Sequence, residues 1–276
     1  MKWVALRPEV DPITGYVVSD ERWEGPSLAD QAALEVALRL SASWGAHCEV
    51  MCVGPTSAEA MLRNALAAGA SRATRIETGS NADVDHQPTS ANVGLLLAEA
   101  ISASAERTML VLCGDWSLDR GSASVPVFLS AELGIDAACG IVSVDDVGNG
   151  SLHVERRLDG GRREVLSITG PAVVSVEGSV ARLRRAPLSG VLASRTMSID
   201  VLTPAAVDWE AAPVRVGPFK PRARILDAPA STDPRRRVEQ LTGALTTRTP
   251  PQRLTLSPDE AADTIVDQLR SWGQIP

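Results

Sequence analysis

Length, composition and charge already exclude several classes of protein. The chain has 276 residues, of which 44% are hydrophobic and 22% charged, a balance typical of a folded globular protein and unlike that of a disordered chain. Its net charge of -7 at pH 7 argues against a nucleic-acid-binding protein, because phosphate contacts need clustered positive charge. No window reaches roughly 18 consecutive apolar residues, and the N-terminal residues lack the layout of a signal peptide. We therefore expect a cytoplasmic protein without stable membrane insertion.

Metal or nucleophilic chemistry is not indicated by the cysteine and histidine residues. The four cysteines contain no Cys-x-x-Cys pair, and no histidine stands at a spacing that a zinc site requires. The cysteines lie in or beside apolar runs, where a free thiol usually packs as a small hydrophobic side chain. No combination of serine, histidine and acid that would support nucleophilic catalysis is visible either. The sequence therefore predicts no metal site and no catalytic residue. The residues in question are Cys48, Cys52, Cys113, Cys139, His47, His86 and His153.

Strands and helices alternate over the first 135 residues. Short apolar runs predict four strands, and longer amphipathic runs between them predict three helices, a pattern typical of strand-helix-strand units on a parallel sheet. We expect Thr56 and Glu59 to form a capping box at the start of the second helix. The predicted strands are Lys2–Leu6, Cys48–Val53, Ala73–Glu77 and Thr108–Cys113, and the predicted helices cover 28–43, 57–68 and 89–105.

The ligand crevice of such a sheet lies at the carboxyl ends of its parallel strands. The segments expected there are 7–27, 54–57, 78–88 and 114–122. The last one opens the loop Gly114–Val125, which is rich in glycine and serine and leads into a helical stretch at Val127–Leu133. Such a turn aims free backbone amides at one point, which suits a phosphate group. The alternative is a helix N-cap with solvated polar residues, since no P-loop, dinucleotide-binding or nucleophile-elbow motif is present.

After Gly134 the pattern changes to a series of strands. The sequence Asp159-Gly160-Gly161 lies between the second and the third of them. These residues supply the positive φ that a tight turn needs, so we expect a β-hairpin over residues 152–168. The strand-like runs are Gly140–Val144, Leu152–Leu158, Glu164–Ile168 and Ala172–Val176.

From about residue 203 the chain is rich in proline and arginine. Residues 213–253 contain nine Lys or Arg and three Asp or Glu, without periodicity, which predicts an extended arm across a partner. The alternative is a flexible basic linker. Ser257, Pro258 and Glu260 predict a well-capped final helix that reaches about Trp272. We therefore expect an α/β domain at 1–200 and a C-terminal arm with a helix at 201–276.

Two neighbouring segments carry a resemblance to a known family. In Val154–Leu166 two arginines precede an Asp-Gly-Gly turn and an acid follows it, and Pro171–Ser175 places a proline before a short apolar strand. Together they resemble, position by position, the hairpin motif of the electron transfer flavoprotein beta subunit family. Further pieces stand in the family's order, so the resemblance spans nearly the whole chain. These pieces are Ala33–Leu40, Gly54-Pro55, Leu62–Ala70 and Pro250–Arg253.

The resemblance implies a fold and a function. The fold is α/β: a parallel-sheet nucleotide-binding domain of the adenine nucleotide alpha hydrolase type, with a β-hairpin extension and a C-terminal arm ending in a helix. The function is that of an electron-carrier subunit rather than an enzyme. In this family the beta subunit binds AMP structurally, helps to enclose an FAD held mainly by the alpha subunit, and serves electron transfer from dehydrogenases to an acceptor. The C-terminal arm wraps the alpha subunit.

The resemblance also implies site residues. The family's recognition loop for dehydrogenases maps onto 183–197, with Leu188 as its exposed anchor; the alternative is a loop leucine packed onto the body. Ala5 and Val53 would face adenine through backbone groups, and Ser122 and Ser124 would face the phosphate. The full set of positions that match the AMP contacts is Ala5, Ser27, Leu28, Ala29, Asp30, Val53, Gly114, Asp119, Gly121, Ser122, Ala123, Ser124 and Val125.

Two other functions stay open, and departures from the family's pattern bear on the first of them. Relatives commonly carry Asn-Pro where this chain has Ser27-Leu28, and glutamine where it has Ser124. One alternative is a beta subunit with a second FAD in its own site, as in relatives that split electron pairs between two acceptors. The other is a stand-alone nucleotide-binding regulatory module built on the same α/β domain, although such modules lack a counterpart of the second half of this chain.

Overall fold

The computed structural model describes residues 1–11, 13, 17–18, 20–78, 88–104, 110–204, 228–242 and 253–275. The chain divides into two compact units, Met1–Phe219 and Lys220–Pro276. Most of the predicted segment 78–88 and most of the predicted arm 213–253 lie outside the described residues.

The first unit is a mixed α/β structure, which confirms the predicted fold class. Its strands are β1 (Trp3–Ala5), β2 (Glu9–Val10), β3 (Val17–Val18), β4 (Glu24–Pro26), β5 (Glu49–Val53), β6 (Arg72–Ile76), β7 (Leu110–Gly114), β8 (Asp136–Gly148), β9 (Ser151–Arg157), β10 (Arg163–Ile168), β11 (Ala172–Val176) and β12 (Asp200–Leu202). Its helices are α1 (Leu28–Trp44), α2 (Glu59–Ala68), α3 (Ser90–Ala103), α4 (Val125–Leu133) and α5 (Leu188–Ser194).

Two larger sheets form the framework. The five-stranded sheet has the order β10-β9-β8-β11-β7, in which β11 runs parallel to β7 and β8, and the hairpin strands β9 and β10 are antiparallel. The three-stranded sheet has the order β12-β6-β5 and is parallel. Two antiparallel pairs, β1 with β4 and β2 with β3, complete the described strands.

The first strand departs from the sequence-based expectation. It was expected over Lys2–Leu6 within a parallel sheet, but β1 covers only Trp3–Ala5 and its strand pairing is antiparallel, with β4. The amino group of Met1 nevertheless donates a hydrogen bond to the carbonyl of Met51 at 2.7 Å. The first residue of the chain therefore lies beside β5, whereas β1 itself pairs with β4.

Helices cover both faces of the strands. On one face, α1 contributes Leu34 and Leu38 to a core with β5 and α2, and it contributes Ala32 and Val36 to a second core with the five-stranded sheet. On the other face, α3 and α4 pack closely together: a Cβ added to Gly94 would lie 2.8 Å from the Phe128 Cβ. Because α1 belongs to both cores, its N-terminus is held in a fixed place at the edge of the strands.

The ends of α1 follow directly from its sequence. The Ser27 hydroxyl accepts a hydrogen bond from the Asp30 amide, and Gly45 ends the helix with a left-handed conformation, at φ 63°. These are the preferred residues at the two ends of a helix. The predicted helix at 28–43 is therefore confirmed to within one residue at its end.

The predicted capping box at Thr56 and Glu59 is wrong. Thr56–Ala58 forms a short 3-10 helix, and α2 starts at Glu59 without a side-chain cap. Glu59 instead accepts a hydrogen bond from the Arg75 guanidinium at 2.9 Å. The buried arginine on β6 needs a charged partner, and this need outweighs local capping.

The predicted hairpin is confirmed. Gly160 and Gly161 have φ of 71° and 75° in the turn, and the two strands pair in antiparallel register. A cross-strand ion pair, Arg163 with Glu155 at 2.9 Å, stabilises the exposed end. The hairpin extends β8, so it is continuous with the sheet that carries β7.

The second unit contains α6 (Pro234–Thr242) and α7 (Pro258–Ser271), and neither helix buries a residue. The final helix has the predicted start, with a capping box between Ser257 and Glu260. The helix α6 was not predicted; it lies in the arginine-rich segment expected to be extended. No helix in the described part of the chain is long and apolar enough to cross a membrane.

Candidate functional site

The candidate site lies where β5 and β7 end and where α1, α3 and α4 begin. Val53 is the last residue of β5 and Gly114 the last residue of β7. The loop after β7 leads to α4 and contacts the start of α3: the Arg120 guanidinium donates a hydrogen bond to the carbonyl of Pro88 at 2.9 Å. Carboxyl strand ends and helix N-termini therefore meet at one edge, as the parallel-strand pattern predicts.

Asp30 joins three elements at this edge. One carboxylate oxygen accepts hydrogen bonds from the Lys2 amide at 3.1 Å and from the Ser27 hydroxyl at 3.0 Å. The other accepts a hydrogen bond from the Gly114 amide at 3.4 Å. Asp30 is 7% exposed, and these three bonds show that both oxygens of its carboxylate are occupied by protein donors. It fixes the start of the chain, α1 and β7 relative to one another.

Gly114 allows the close approach of β7 to α1. A Cβ at this position would lie 2.7 Å from the Asp30 amide nitrogen and 2.8 Å from the Ala29 carbonyl carbon. Both are backbone atoms, which cannot rotate away as a flexible side chain can. Glycine is therefore required here for steric reasons.

Lys2 is a site residue that the sequence reasoning missed. Its ammonium group lies 2.6 Å from Asp119 and donates a hydrogen bond to the Ser117 hydroxyl at 3.2 Å. Burial raises the pKa of Asp119, but the hydrogen bonds from Lys2 and Ser117 outweigh burial and hold that pKa below its ordinary value. The pair ties the loop after β7 to the start of the chain. No local pattern reveals it, because Lys2 and Asp119 are 117 residues apart.

The loop before α4 has a folded, hydroxyl-lined backbone. Gly121 has a φ of 57°, and Ala123 adopts a φ of 51° without being glycine, which costs about 1–2 kcal/mol. The hydroxyls of Ser122 and Ser124 are 2.9 Å apart, and Ser90 lies 3.4 Å from Ser122. Pro126 has no N–H, so the first turn of α4 offers the amides of Val125 and Val127, which have no carbonyl partner within the helix. Hydroxyls and amides at a helix N-terminus can bind an anion such as phosphate.

The predicted backbone contacts lie along the same edge. Ala5 ends β1 and Val53 ends β5, and the Met1–Met51 hydrogen bond of 2.7 Å places the residue at the start of the chain, just before β1, beside β5. Ala29 is buried in the first turn of α1, whereas Leu28, the first residue of the helix, is 75% exposed. The predicted residues of α1 and the loop are thus brought together through Asp30, Gly114 and Lys2. Ser90 is the further member that the sequence did not suggest.

In the described part of the chain, no group at this edge is set up for covalent chemistry. Burial raises the pKa of Cys52, next to Val53, and of Cys113, next to Gly114, so these thiols are protonated at neutral pH. Burial, reinforced by the neighbouring Glu177, raises the pKa of Asp115. Among the described residues, no three His, Cys, Asp or Glu side chains are grouped to hold a metal ion.

A second candidate surface is the predicted recognition loop at 183–197. The structure differs from the expected loop, because residues Leu188–Ser194 form the short helix α5. Leu188 is 74% exposed, so it is not packed onto the body. Just before the helix, Arg184 makes three hydrogen bonds to the buried Glu35. Burial raises the pKa of Glu35, but the bonds from Arg184 and Arg39 outweigh burial and lower that pKa to about 2.

Comparisons with known proteins agree with one another. A family model described as the electron transfer flavoprotein domain matches residues 16–207. An electron transfer flavoprotein subunit beta of Thermoanaerobacterium thermosaccharolyticum is 29% identical over 201 residues, which is 70% of this chain and 72% of the relative. The subunit beta of Methylophilus methylotrophus is 28% identical over 207 residues, 72% of this chain and 75% of the relative. The protein FixA of Bradyrhizobium diazoefficiens is 30% identical over 168 residues, 59% of this chain and 57% of the relative.

Proposed function

Because the chain belongs to the electron transfer flavoprotein domain family, we propose that it is the beta subunit of a heterodimeric electron transfer flavoprotein. Two relatives named subunit beta align over 70% and 72% of the chain. The observation that carries the proposal is the edge formed by Asp30, Gly114 and the loop before α4. The described residues of this edge supply hydroxyls and backbone amides that suit a nucleotide.

We propose that this edge binds AMP. The phosphate would lie at the N-terminus of α4, where the hydroxyls of Ser122 and Ser124 are 2.9 Å apart and where the amides of Val125 and Val127 can donate, since Pro126 between them has no N–H. The adenine would lie against the backbone at Ala5 and Val53. Asp30 and Lys2 would then hold the site together rather than contact the nucleotide, because their polar groups are already paired within the protein.

The FAD of the complex belongs mainly to the alpha subunit in this proposal. When bound, its isoalloxazine ring accepts and donates the electrons. The role of this chain is to cover one side of the flavin, exclude water and keep the two subunits in register. The electron donor is a dehydrogenase that contacts the surface around Leu188, and the acceptor is a further transient partner.

The C-terminal unit is proposed to wrap the alpha subunit. Its helices bury no residue, and Ile265 and Trp272 in the region of α7 are 60% and 65% exposed. A helix with a complete capping box and an uncovered apolar face gains stability when a partner covers that face.

Nucleotide analysis of the purified complex tests the proposal. The chain is co-expressed with its alpha subunit, the complex is denatured, and the released nucleotides are separated and quantified. One AMP and one FAD per heterodimer are expected. Two FAD and no AMP would overturn the structural AMP and make this chain the holder of an electron-splitting flavin. No flavin in the complex would contradict the electron-carrier role itself, and AMP bound to this chain alone would favour the regulatory module.

A further inference from the structure

The helix α5 presents an apolar face to solvent. Leu188 and Leu192 are 74% and 53% exposed, and Val191 is 37% exposed. The spacing of three and four residues places these side chains on one side of the helix. The surface is therefore wider than a single leucine anchor. We call Leu188, Val191 and Leu192 the α5 face.

Exposed arginines flank the α5 face in the sequence. They are Arg182, Arg185 and Arg195, and none of them is among the ion pairs of the described part of the chain, whereas the neighbouring Arg184 pairs with Glu35. An apolar centre with a basic rim is complementary to an apolar pocket with acidic residues at its edge. The occupant we infer is such a pocket on the electron-donating dehydrogenase.

The opposite side of α5 is held against α2. A Cβ added to Gly190 would lie 2.3 Å from the Ala67 carbonyl oxygen, so the two backbones are in direct contact. Ser194 is 2% exposed. Leu183, before the helix, and Met197, after it, pack against the core formed with α2.

Arg63 of α2 supplies the polar part of this contact. Its guanidinium donates a hydrogen bond to the Ser194 carbonyl at 2.6 Å and a second one to the Met197 carbonyl. The last carbonyls of a helix have no partner within the helix, and a positive charge there also interacts favourably with the helix dipole. Arg63 thus caps α5 from a neighbouring helix.

A helix of this length needs such a cap. The seven residues of α5 are well below the roughly 12–15 residues at which an isolated helix becomes even marginally stable in water. Its helical state therefore depends on tertiary contacts. As long as those contacts keep α5 helical, binding of a partner to the α5 face costs no conformational entropy for ordering the helix.

We propose that Arg63 is a positioning residue for partner docking: it holds α5 so that Leu188 and Leu192 together form the surface that the dehydrogenase contacts. This inference rests on the proposed electron-carrier function. It adds Leu192 and Arg63 to the residues that support docking. Leu192 contacts the partner directly, whereas Arg63 acts only by holding α5.

The test uses the heterodimer with its alpha subunit. The variants are Arg63→Met, Arg63→Lys and Leu192→Ala, and Arg39→Met serves as the control, because Arg39 is an exposed helical arginine whose partner Glu35 keeps its bonds to Arg184. The donor is the dehydrogenase of the same cell that reduces the wild-type heterodimer fastest. The kinetic constants kcat and KM for the heterodimer are measured, and hydrogen exchange of residues 188–197 reports on α5.

Arg63→Met should raise KM by about tenfold, equivalent to about 1.4 kcal/mol of docking energy, with kcat within about twofold and faster exchange in α5. Arg63→Lys should recover part of the KM change. Leu192→Ala should raise KM to a similar extent with unchanged exchange, and Arg39→Met should behave as wild type.

Unchanged KM in Arg63→Met despite faster exchange would overturn the inference, as would unchanged exchange. Loss of the heterodimer in Leu192→Ala would assign the α5 face to the alpha subunit instead. A wild-type heterodimer that no dehydrogenase reduces would refute the proposed function rather than the packing of α5.

Discussion

Replacing Gly114 by alanine tests the geometry of the nucleotide edge. The added Cβ would lie 2.7 Å from the Asp30 amide nitrogen and 2.9 Å from the Ala29 Cβ, whereas carbon atoms in contact prefer about 3.5–4.0 Å. Since the neighbouring atoms belong mainly to the backbone of α1, the start of that helix must move. Overpacking of this kind costs about 1–3 kcal/mol.

The expected result for Gly114→Ala has two parts. For a chain of this size the melting temperature should fall by roughly 2–4 °C for each kcal/mol lost, as measured by thermal unfolding of the heterodimer. The affinity for AMP should fall as well, because movement of α1 separates the groups that Asp30 joins. Equilibrium dialysis of nucleotide-depleted heterodimer against AMP measures this loss.

Gly170→Ala is the matched control for that experiment. A Cβ added to Gly170 meets nothing within 4 Å, and the residue does not have a positive φ. This variant should unfold and bind AMP as the wild type does. If Gly114→Ala were as stable as Gly170→Ala and bound AMP equally well, the close approach of β7 to α1 could not be what shapes the site.

Three further predictions concern other parts of the structure. Lys2→Met breaks the 2.6 Å pair with Asp119 and should weaken AMP binding in dialysis without changing flavin content, while an unchanged affinity would show that the pair does not order the loop. Glu35, whose pKa is lowered from 4.5 to about 2, should stabilise the fold above its unfolded pKa and lose that contribution as the pH falls from 4.5 toward 2. Urea unfolding of Glu35→Gln should therefore show a smaller loss of stability in that pH range than the wild type, and an equal loss would contradict the assignment. Leu188→Ala should slow electron acceptance from the dehydrogenase in stopped-flow reduction with flavin content unchanged, and an unaltered rate would remove Leu188 from the docking surface.

Elements whose ends are set by local chemistry could be predicted from the sequence. Ser27 and Gly45 determine the ends of α1, and Ser257 with Glu260 determines the start of α7. Gly160 and Gly161 provide the turn of the hairpin. In each case the determining residues are within a few positions of the element they end, so one short window contains the information.

Features that depend on distant residues could not be predicted in this way. The partner of β1 is β4, and no feature of the apolar run itself distinguishes that pairing from a place in the parallel sheet. Glu59 leaves the expected capping box because Arg75 is buried near it. The helix α5 has no side-chain cap at its N-terminus, and the carbonyl of its last residue, Ser194, accepts its hydrogen bond from Arg63 on α2, which is distant in the sequence.

The candidate site also combines residues that the sequence indicates with residues that only the fold brings to the site. The glycine-serine loop stands out in the sequence, because glycines and serines between a strand end and a helix start are typical of nucleotide sites. Asp30 is identified only through the family resemblance. Lys2 and Ser90 do not stand out, because they reach the loop only through the fold: Lys2 pairs with Asp119, and Ser90 lies near Ser122.

The central claim is that this chain is one half of a flavin-containing heterodimer. The most direct test is to express it alone and together with its alpha subunit, and to measure molar mass and visible absorbance in the same chromatographic run. The account predicts a colourless, aggregation-prone protein when the chain is alone and a yellow one-to-one complex when the alpha subunit is present. A stable monomer that does not bind the alpha subunit would contradict the claim, and so would a complex without flavin.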